Sequence, residues 1–253
     1  MRLLLPLLLV ACASSTPRPV LDGSPACDAP AIDLLGPDQP SDDLLLGLPE
    51  VDPQPLATRD HPVLVPDAGL YPIPHGVIAL RCGERDGGEP DNDCEIVIGT
   101  ADGRALWTLG LYSDAESTAT VETFALSFPS LLDVTGDGRP ELVLSWHIMS
   151  EPYPAVGPQA TEHLAILTAP SPASQPLTTL YGPVPTRANG AGGLDYCEAT
   201  LALRVCDGRP VIDRARRCQA AICVDADAET VRDLGCGWKP DITRAVWNGK
   251  RFE

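Results

Sequence analysis

The sequence predicts an all-β fold stapled by disulfides, and three observations predict it. From about residue 69 onward, short runs rich in Val, Ile and Leu alternate with Asp-Gly and Asn-Gly turn signals. The chain carries 27 prolines and 22 glycines against only 5% aromatic residues, a balance that favours strands and turns over long helices. Nine cysteines are present, and setting Cys12 aside leaves eight, the even number expected of a protein from an oxidising compartment. A chain of 253 residues with 44% apolar content can bury one sizeable core and carry appendages.

The N-terminus supplies the first appendage. Residues 1–11 have the parts of a secretory signal, with Arg2, a run from Leu3 to Val10 broken by Pro6, and Ala11 before Cys12. That run is far shorter than the roughly 20 residues needed to cross a bilayer, so it reads as a cleaved signal and not a transmembrane anchor. The string Leu9-Val10-Ala11-Cys12 resembles the bacterial lipobox. The resemblance implies that the Cys12 sulfur carries diacylglycerol and that Cys12 becomes the acylated first residue. With Ala13 following in place of Asp, it also implies delivery to the outer membrane, on its periplasmic or surface face. The less specific pattern Ala11-Cys12-Ala13 also fits an ordinary cleavage site before Ser14.

Residues 12–68 are dense in Pro, Asp and Ser and read as an extended tether, because such a composition cannot bury enough apolar surface to fold. Cys27 and the apolar patches Leu44-Leu45-Leu46 and Val63-Leu64-Val65 hint that part of it packs back. The β-rich domain then spans 69–253. Val77 to Leu80 reads as a buried strand, and Glu95 to Gly99 turns at Asp102-Gly103 into Ala105 to Leu109 as a hairpin. Glu141 to Trp146 and His163 to Leu167 are further strands. Ala199 to Val205 turns at Asp207-Gly208 into Pro210 to Ile212, and Ala245 to Trp247 turns at Asn248-Gly249 toward Phe252. These units echo one another at uneven spacing, which suits propeller-like blades or a meandering sheet. One helix is expected at 225–234, where acidic residues come first.

Eight cysteines allow 105 pairings. Cys82 and Cys94 flank a polar loop and read as one pair, and Cys197 with Cys206 reads as a link between neighbouring strands of a hairpin. Cys218, Cys223, Cys236 and Cys27 complete the set. A zinc site among Cys206, Cys218, Cys223 and Cys236 is disfavoured by irregular spacing and the absence of C-x-x-C.

One segment carries a chemical pattern. In Leu131 to Leu144, counting Asp133 as position one puts Thr135 at three, Asp137 at five, Gly138 at six, Arg139 at seven and Glu141 at nine. Alternate residues of a tightly wound loop can surround Ca²⁺ with hard oxygens, and the glycine permits the sharp turn. Leu144 at position twelve and a following strand rule out an EF-hand. The segment resembles the loop of FG-GAP/VCBS-type repeats, which precedes a strand in β-propeller blades. The resemblance implies Ca²⁺ held by Asp133, Asp137 and Glu141 with the Arg139 carbonyl. Thr135 stands where the family has an acid, so the implied site is weak, in the range of about 10⁻⁴–10⁻³ M for extracellular modules. The bare alternative is a turn between two strands.

Other chemistry is scarce. His61, His75, His147 and His163 show no ligand or triad spacing, and H-E-x-x-H, G-x-S-x-G and P-loop patterns do not occur. Asn189 to Gly193 is glycine-rich but lacks the Lys-Ser/Thr of a phosphate loop. A net charge of −17 spread along the chain repels phosphate backbones and argues against nucleic acid as a partner. The expected partners are the membrane, through the lipid, and an envelope protein or polysaccharide. The leading expectation is a non-enzymatic binding or structural lipoprotein of the cell envelope. The alternatives are an envelope hydrolase working through surface carboxylates and an accessory subunit of an envelope complex.

Overall fold

The computed structural model describes residues 27–35, 48, 52–65, 70–84, 88, 90–111, 120–127, 129–151, 159–189, 196–219 and 239–253. These residues are all-β apart from one 3-10 turn at Gln54–Leu56. The strands in chain order are β1 (Cys27–Asp33), β2 (Val63–Leu64), β3 (Tyr71–Ile73), β4 (Gly76–Glu84) and β5 (Pro90–Gly99). They continue with β6 (Ala105–Gly110), β7 (Thr120–Leu126), β8 (Ser130–Leu132), β9 (Glu141–Glu151) and β10 (Gln159–Thr168). Last come β11 (Thr179–Asn189), β12 (Tyr196–Cys206), β13 (Arg209–Gln219) and β14 (Lys239–Val246).

Every pairing is antiparallel. The smaller sheet runs β2-β4-β5-β6, with β3 also on β4. The larger is a meander in the order β14-β13-β12-β11-β10-β9-β7, with β1 on β12 and β8 on β9. The apolar stretches Leu142 to Leu144 of β9 and Leu164 to Leu167 of β10 are buried on both faces, which is why they read as continuous apolar runs instead of alternating ones. On one face Leu142, Leu144, Trp146, Ala165 and Leu167 pack with Ile78, Ile96 and Ile98 of the smaller sheet. On the other, Val143, Leu164 and Ile166 pack with Leu201, Leu203 and Ile212 from β12 and β13 of the same large sheet. A sheet covers its own back only by folding over. Strands β11 and β12 are joined through just two residue pairs, Arg187–Glu198 and Ala188–Cys197. That short join lets β12 to β14 swing across β10, giving three layers with β9 and β10 in the middle.

The stretch read as a tether contributes several pieces to this body. Strand β1 pairs with β12, and Leu34 behind it is fully buried in the second cluster. Leu56 covers the outer face of the smaller sheet over Val77, Ala79 and Val97, and β2 adds an edge to β4. Composition averaged over the stretch hides these residues, because single leucines suffice where a finished sheet face awaits cover. The close fit is visible at Gly99, where a Cβ would collide with a methyl of Leu56. The Leu44 to Leu46 patch and the helix expected at 225–234 lie outside the described residues.

Three disulfides join residues that sit directly opposite each other on paired strands: Cys82–Cys94, Cys197–Cys218 and Cys27–Cys206. The first is the expected pair. The expected Cys197–Cys206 link is corrected. Both cysteines stand on β12, nine residues apart, which at 3.3 Å per residue is about 30 Å and far beyond disulfide reach. Cys223 and Cys236 lie outside the described residues.

Candidate functional site

The loop between β8 and β9 holds the residues that the sequence singles out. Strand β8 ends at Leu132 and β9 begins at Glu141, so Asp133 to Pro140 must reverse direction within eight residues. Two glycines with left-handed backbone make this possible, Gly136 at φ +74° and Gly138 at φ +82°. Val134 points inward and is 1% exposed, pinning the loop to the core formed by Leu164, Leu201 and Ile212.

The carboxylates divide into two separate hydrogen-bond systems. On the exposed side, Asp133 Oδ1 accepts the backbone N–H of Gly136 at 2.7 Å and of Asp137 at 3.1 Å, and Oδ2 accepts that of Gly138 at 3.0 Å. Asp137 Oδ1 accepts the N–H of Arg139 at 2.8 Å. On the inner side, Glu141 is 5% exposed, and its Oε2 accepts the N–H of Val134 at 2.7 Å and of Thr135 at 3.1 Å. The Thr135 hydroxyl donates to Glu141 Oε1 at 3.2 Å. Burial raises the Glu141 carboxyl above its ordinary value, those three donors pull it back down, and the negative charge of Asp137 adds a smaller upward push.

The fit to a divalent cation is therefore partial. Asp133 and Asp137 are exposed, and a lone pair is left on Asp133 Oδ2 and on the Asp137 oxygens beyond the bonds just described, while Asp133 Oδ1 already accepts two N–H groups. Glu141 and Thr135 face each other and not the exposed pair. Among the described residues no three His, Cys, Asp or Glu side chains are gathered as a metal site. The carboxylates cap N–H groups of their own loop, and Glu141 gives Oε2 to the N–H groups of Val134 and Thr135 and Oε1 to the Thr135 hydroxyl.

A second place with concave shape lies at the end of the smaller sheet. A cavity of about 450 Å³ is lined by Ile73, His75, Thr100, Ser171 and Ser174 among others. Among the described residues, His75 is the one titratable residue in its lining and no carboxylate lines it. Both His75 and Ser174 have left-handed backbone, at φ +62° and +48°. His75 occupies the β3–β4 hairpin turn, which accounts for its conformation.

The remaining histidines have structural partners that spacing did not reveal. His61 lies with Nδ1 3.4 Å from Glu95 and Nε2 3.5 Å from Asp93, and Glu95 also receives Arg81 Nε at 2.6 Å. His163 stacks on Trp146 with ring centroids 5.5 Å apart, and burial holds its imidazole below the ordinary value. In both cases the signal was out of reach locally, because the partner comes from a different strand. His147, on β9, stands opposite Glu162 of β10. Comparison with protein-family models, with curated proteins and with solved structures finds no match for this chain.

Proposed function

We propose that this chain is an exported lipoprotein of the bacterial cell envelope, anchored to the outer membrane through lipid on Cys12, with a β body that binds or braces and performs no catalysis. The observation that carries the proposal is the division of the cysteines. All six within the described residues are paired across strands, as an oxidising compartment favours. Cys12 stands apart from them, in the Leu9-Val10-Ala11-Cys12 string. The partner class is an envelope protein or polysaccharide and not nucleic acid, in keeping with the net charge of −17.

A binding or structural role is favoured over hydrolysis by the placement of the acids. Asp133, Asp137 and Glu141 are committed to backbone N–H groups of their own loop, and among the described residues no carboxylate lines the cavity beside His75. Ca²⁺ enters this reading as a weak brace on the exposed side of the loop, through Asp133, Asp137 and the Arg139 carbonyl. The support is the alternation of oxygen-bearing residues around Gly138.

Intact mass and N-terminal peptide mass spectrometry of the native protein test the anchor. The expected result is a chain beginning at Cys12 with diacylglycerol attached. An unmodified Ser14 terminus, or an intact Met1, would overturn it.

A further inference from the structure

The Cys197–Cys218 disulfide has a cation on one sulfur and the more open side on the other. Arg216 stands two residues before Cys218 on β13, directly opposite Ala199, and is therefore the diagonal neighbour of Cys197 across the ladder. A long side chain spans that diagonal. Its Nη2 donates to Cys197 Sγ at 3.2 Å. Cys197 is buried, whereas Cys218 is only half-buried. The bridge also closes the end of the β12–β13 ladder away from the Asp207-Gly208 turn, with just Tyr196–Gln219 paired beyond it. Strand ends of this kind open more readily than the interior of a ladder.

These features give the bridge a direction of attack. A thiolate breaks a disulfide by attacking one sulfur while the other departs as a thiolate. The better-stabilised anion leaves faster, and a neighbouring guanidinium stabilises a cysteine thiolate. Charge therefore selects Cys197 as the leaving sulfur. Access selects Cys218 as the sulfur attacked. The two criteria are independent, and they agree. The other bridges lack this combination. Cys82 and Cys94 are both buried, which shields their sulfurs from an incoming thiol. In the third bridge Cys27 is the half-buried side, and the leaving sulfur would be that of Cys206, which receives no guanidinium among the described residues.

We propose that the Cys197–Cys218 bridge is a thiol-exchange site, at which an incoming thiol becomes disulfide-bonded to Cys218 while Cys197 departs as a thiolate held by Arg216. The co-reactant is a dithiol reductant. Its first thiol gives its proton to solvent, and the resulting thiolate bonds to Cys218 Sγ as the Cys197–Cys218 bond breaks. The electron pair of that bond stays on Cys197. The second thiol of the reductant, likewise deprotonated, attacks the first, closing the reductant as a disulfide, and Cys218 leaves and takes up a proton. One dithiol is oxidised, and one bridge is reduced to two thiols. A monothiol stops at the mixed disulfide on Cys218.

Limiting dithiothreitol on the folded full chain tests the order of opening, with released thiols alkylated at intervals and mapped by mass spectrometry. Cys197 and Cys218 are expected to become alkylated about tenfold faster than the cysteines of the other two bridges. The monothiol 2-mercaptoethanol, quenched by acid, tests the direction, and its adduct is expected on Cys218. Arg216→Gln removes the cation and is expected to slow opening about tenfold. Arg216→Lys keeps a cation and is expected to open nearly as fast as wild type, which separates charge from packing. Earlier opening of either other bridge would overturn the site. An adduct on Cys197 would overturn the direction. Unchanged opening in Arg216→Gln, or equal slowing in both variants, would overturn the role of the guanidinium.

Discussion

The guanidinium of Arg81 donates from Nη1 to the carbonyl oxygen of Leu56 at 2.6 Å, inside the protein and across 25 residues of sequence. Its other nitrogens grip Glu95, with Nε at 2.6 Å from Oε1. One buried side chain thus ties the 3-10 turn to the face of the smaller sheet that Leu56 covers. Arg81→Ala leaves the Leu56 carbonyl without its donor and strips the half-buried Glu95 of its guanidinium. The expected cost is about 3 kcal/mol in urea unfolding. Leu56→Ala should cost a similar 2–4 kcal/mol, because the sheet cannot collapse into the space left behind. A double variant losing much less than the sum would demonstrate that the two residues act as one clasp, whereas independent losses would refute it.

That clasp also marks where the sequence stopped being legible. Strands β4, β5, β9, β10 and β12 announce themselves, because each carries an unbroken apolar run such as Val77 to Leu80 or Leu142 to Leu144. Strand β11 does not. It contains Gly182, Pro183 and Pro185, whose local preferences oppose a strand, and it is one only because β10 supplies a partner along it. Leu56, Leu34 and Cys27 were hidden for a related reason. Each lies in polar text, and its burial is decided by a surface assembled from residues far away. The loop shows both outcomes within eight residues. The turn at Gly138 follows from the pattern of its neighbours and has the left-handed backbone that the pattern asks for. The inward turn of Glu141 does not, since alternation says which side it takes but not that two N–H groups already occupy it.

The buried carboxyl of Glu141 makes stability depend on pH in a definite sense. Its value in the folded protein is raised above the 4.5 of an exposed glutamate, chiefly by burial. The folded state therefore holds this proton more tightly than the unfolded state. The contribution is fully present below pH 4.5 and is lost as pH climbs through the folded value. Glu141→Gln keeps an acceptor for Val134 and Thr135 and removes the titration. Melts across that window should show a flatter pH dependence for the variant, at a cost of no more than about 1 kcal/mol near neutrality. Glu141→Ala leaves both N–H groups stranded and should cost about 2–4 kcal/mol. Parallel pH profiles for wild type and Glu141→Gln would mean that this carboxyl is not a source of the slope.

Calcium is expected to act as a modest added brace on a loop that is already hydrogen-bonded. If the ion binds folded protein at about 10⁻³ M, a tenfold excess over Kd raises stability by about 1.4 kcal/mol. Differential scanning of metal-free protein with calcium or with chelator reads this directly. The Asp137→Asn variant should lose the shift while keeping its own melting temperature in chelator, because an amide oxygen can still accept the Arg139 N–H. An identical melting temperature with and without the ion would remove calcium from this loop.

The three disulfides should differ in what their loss costs, and the order follows from how much chain each one closes. Cys82–Cys94 spans 12 residues, Cys197–Cys218 spans 21 and Cys27–Cys206 spans 179. Chain-entropy scaling assigns them about 3, 3.5 and 5 kcal/mol respectively. Strand context sharpens the contrast. Cys82 and Cys94 lie on two strands already held together by a turn-connected ladder of pairs from Val77–Gly99 onward, so their partners stay adjacent without the bond. Strand β1 has no such neighbour in sequence. It reaches β12 through a register that is interrupted between Asp28 and Ile32, and Leu34 must enter the core immediately afterward. Removing Cys27 with Cys206 should therefore release β1 and uncover Leu34's place among Leu201 and Leu203, a loss visible as faster amide exchange along β12. Peptide mapping under non-reducing conditions checks the pairing, and denaturant titration of each double Cys→Ala variant checks the order. A larger loss from the 12-residue bridge than from the 179-residue one would show that strand pairing, and not loop closure, sets the worth of these bonds.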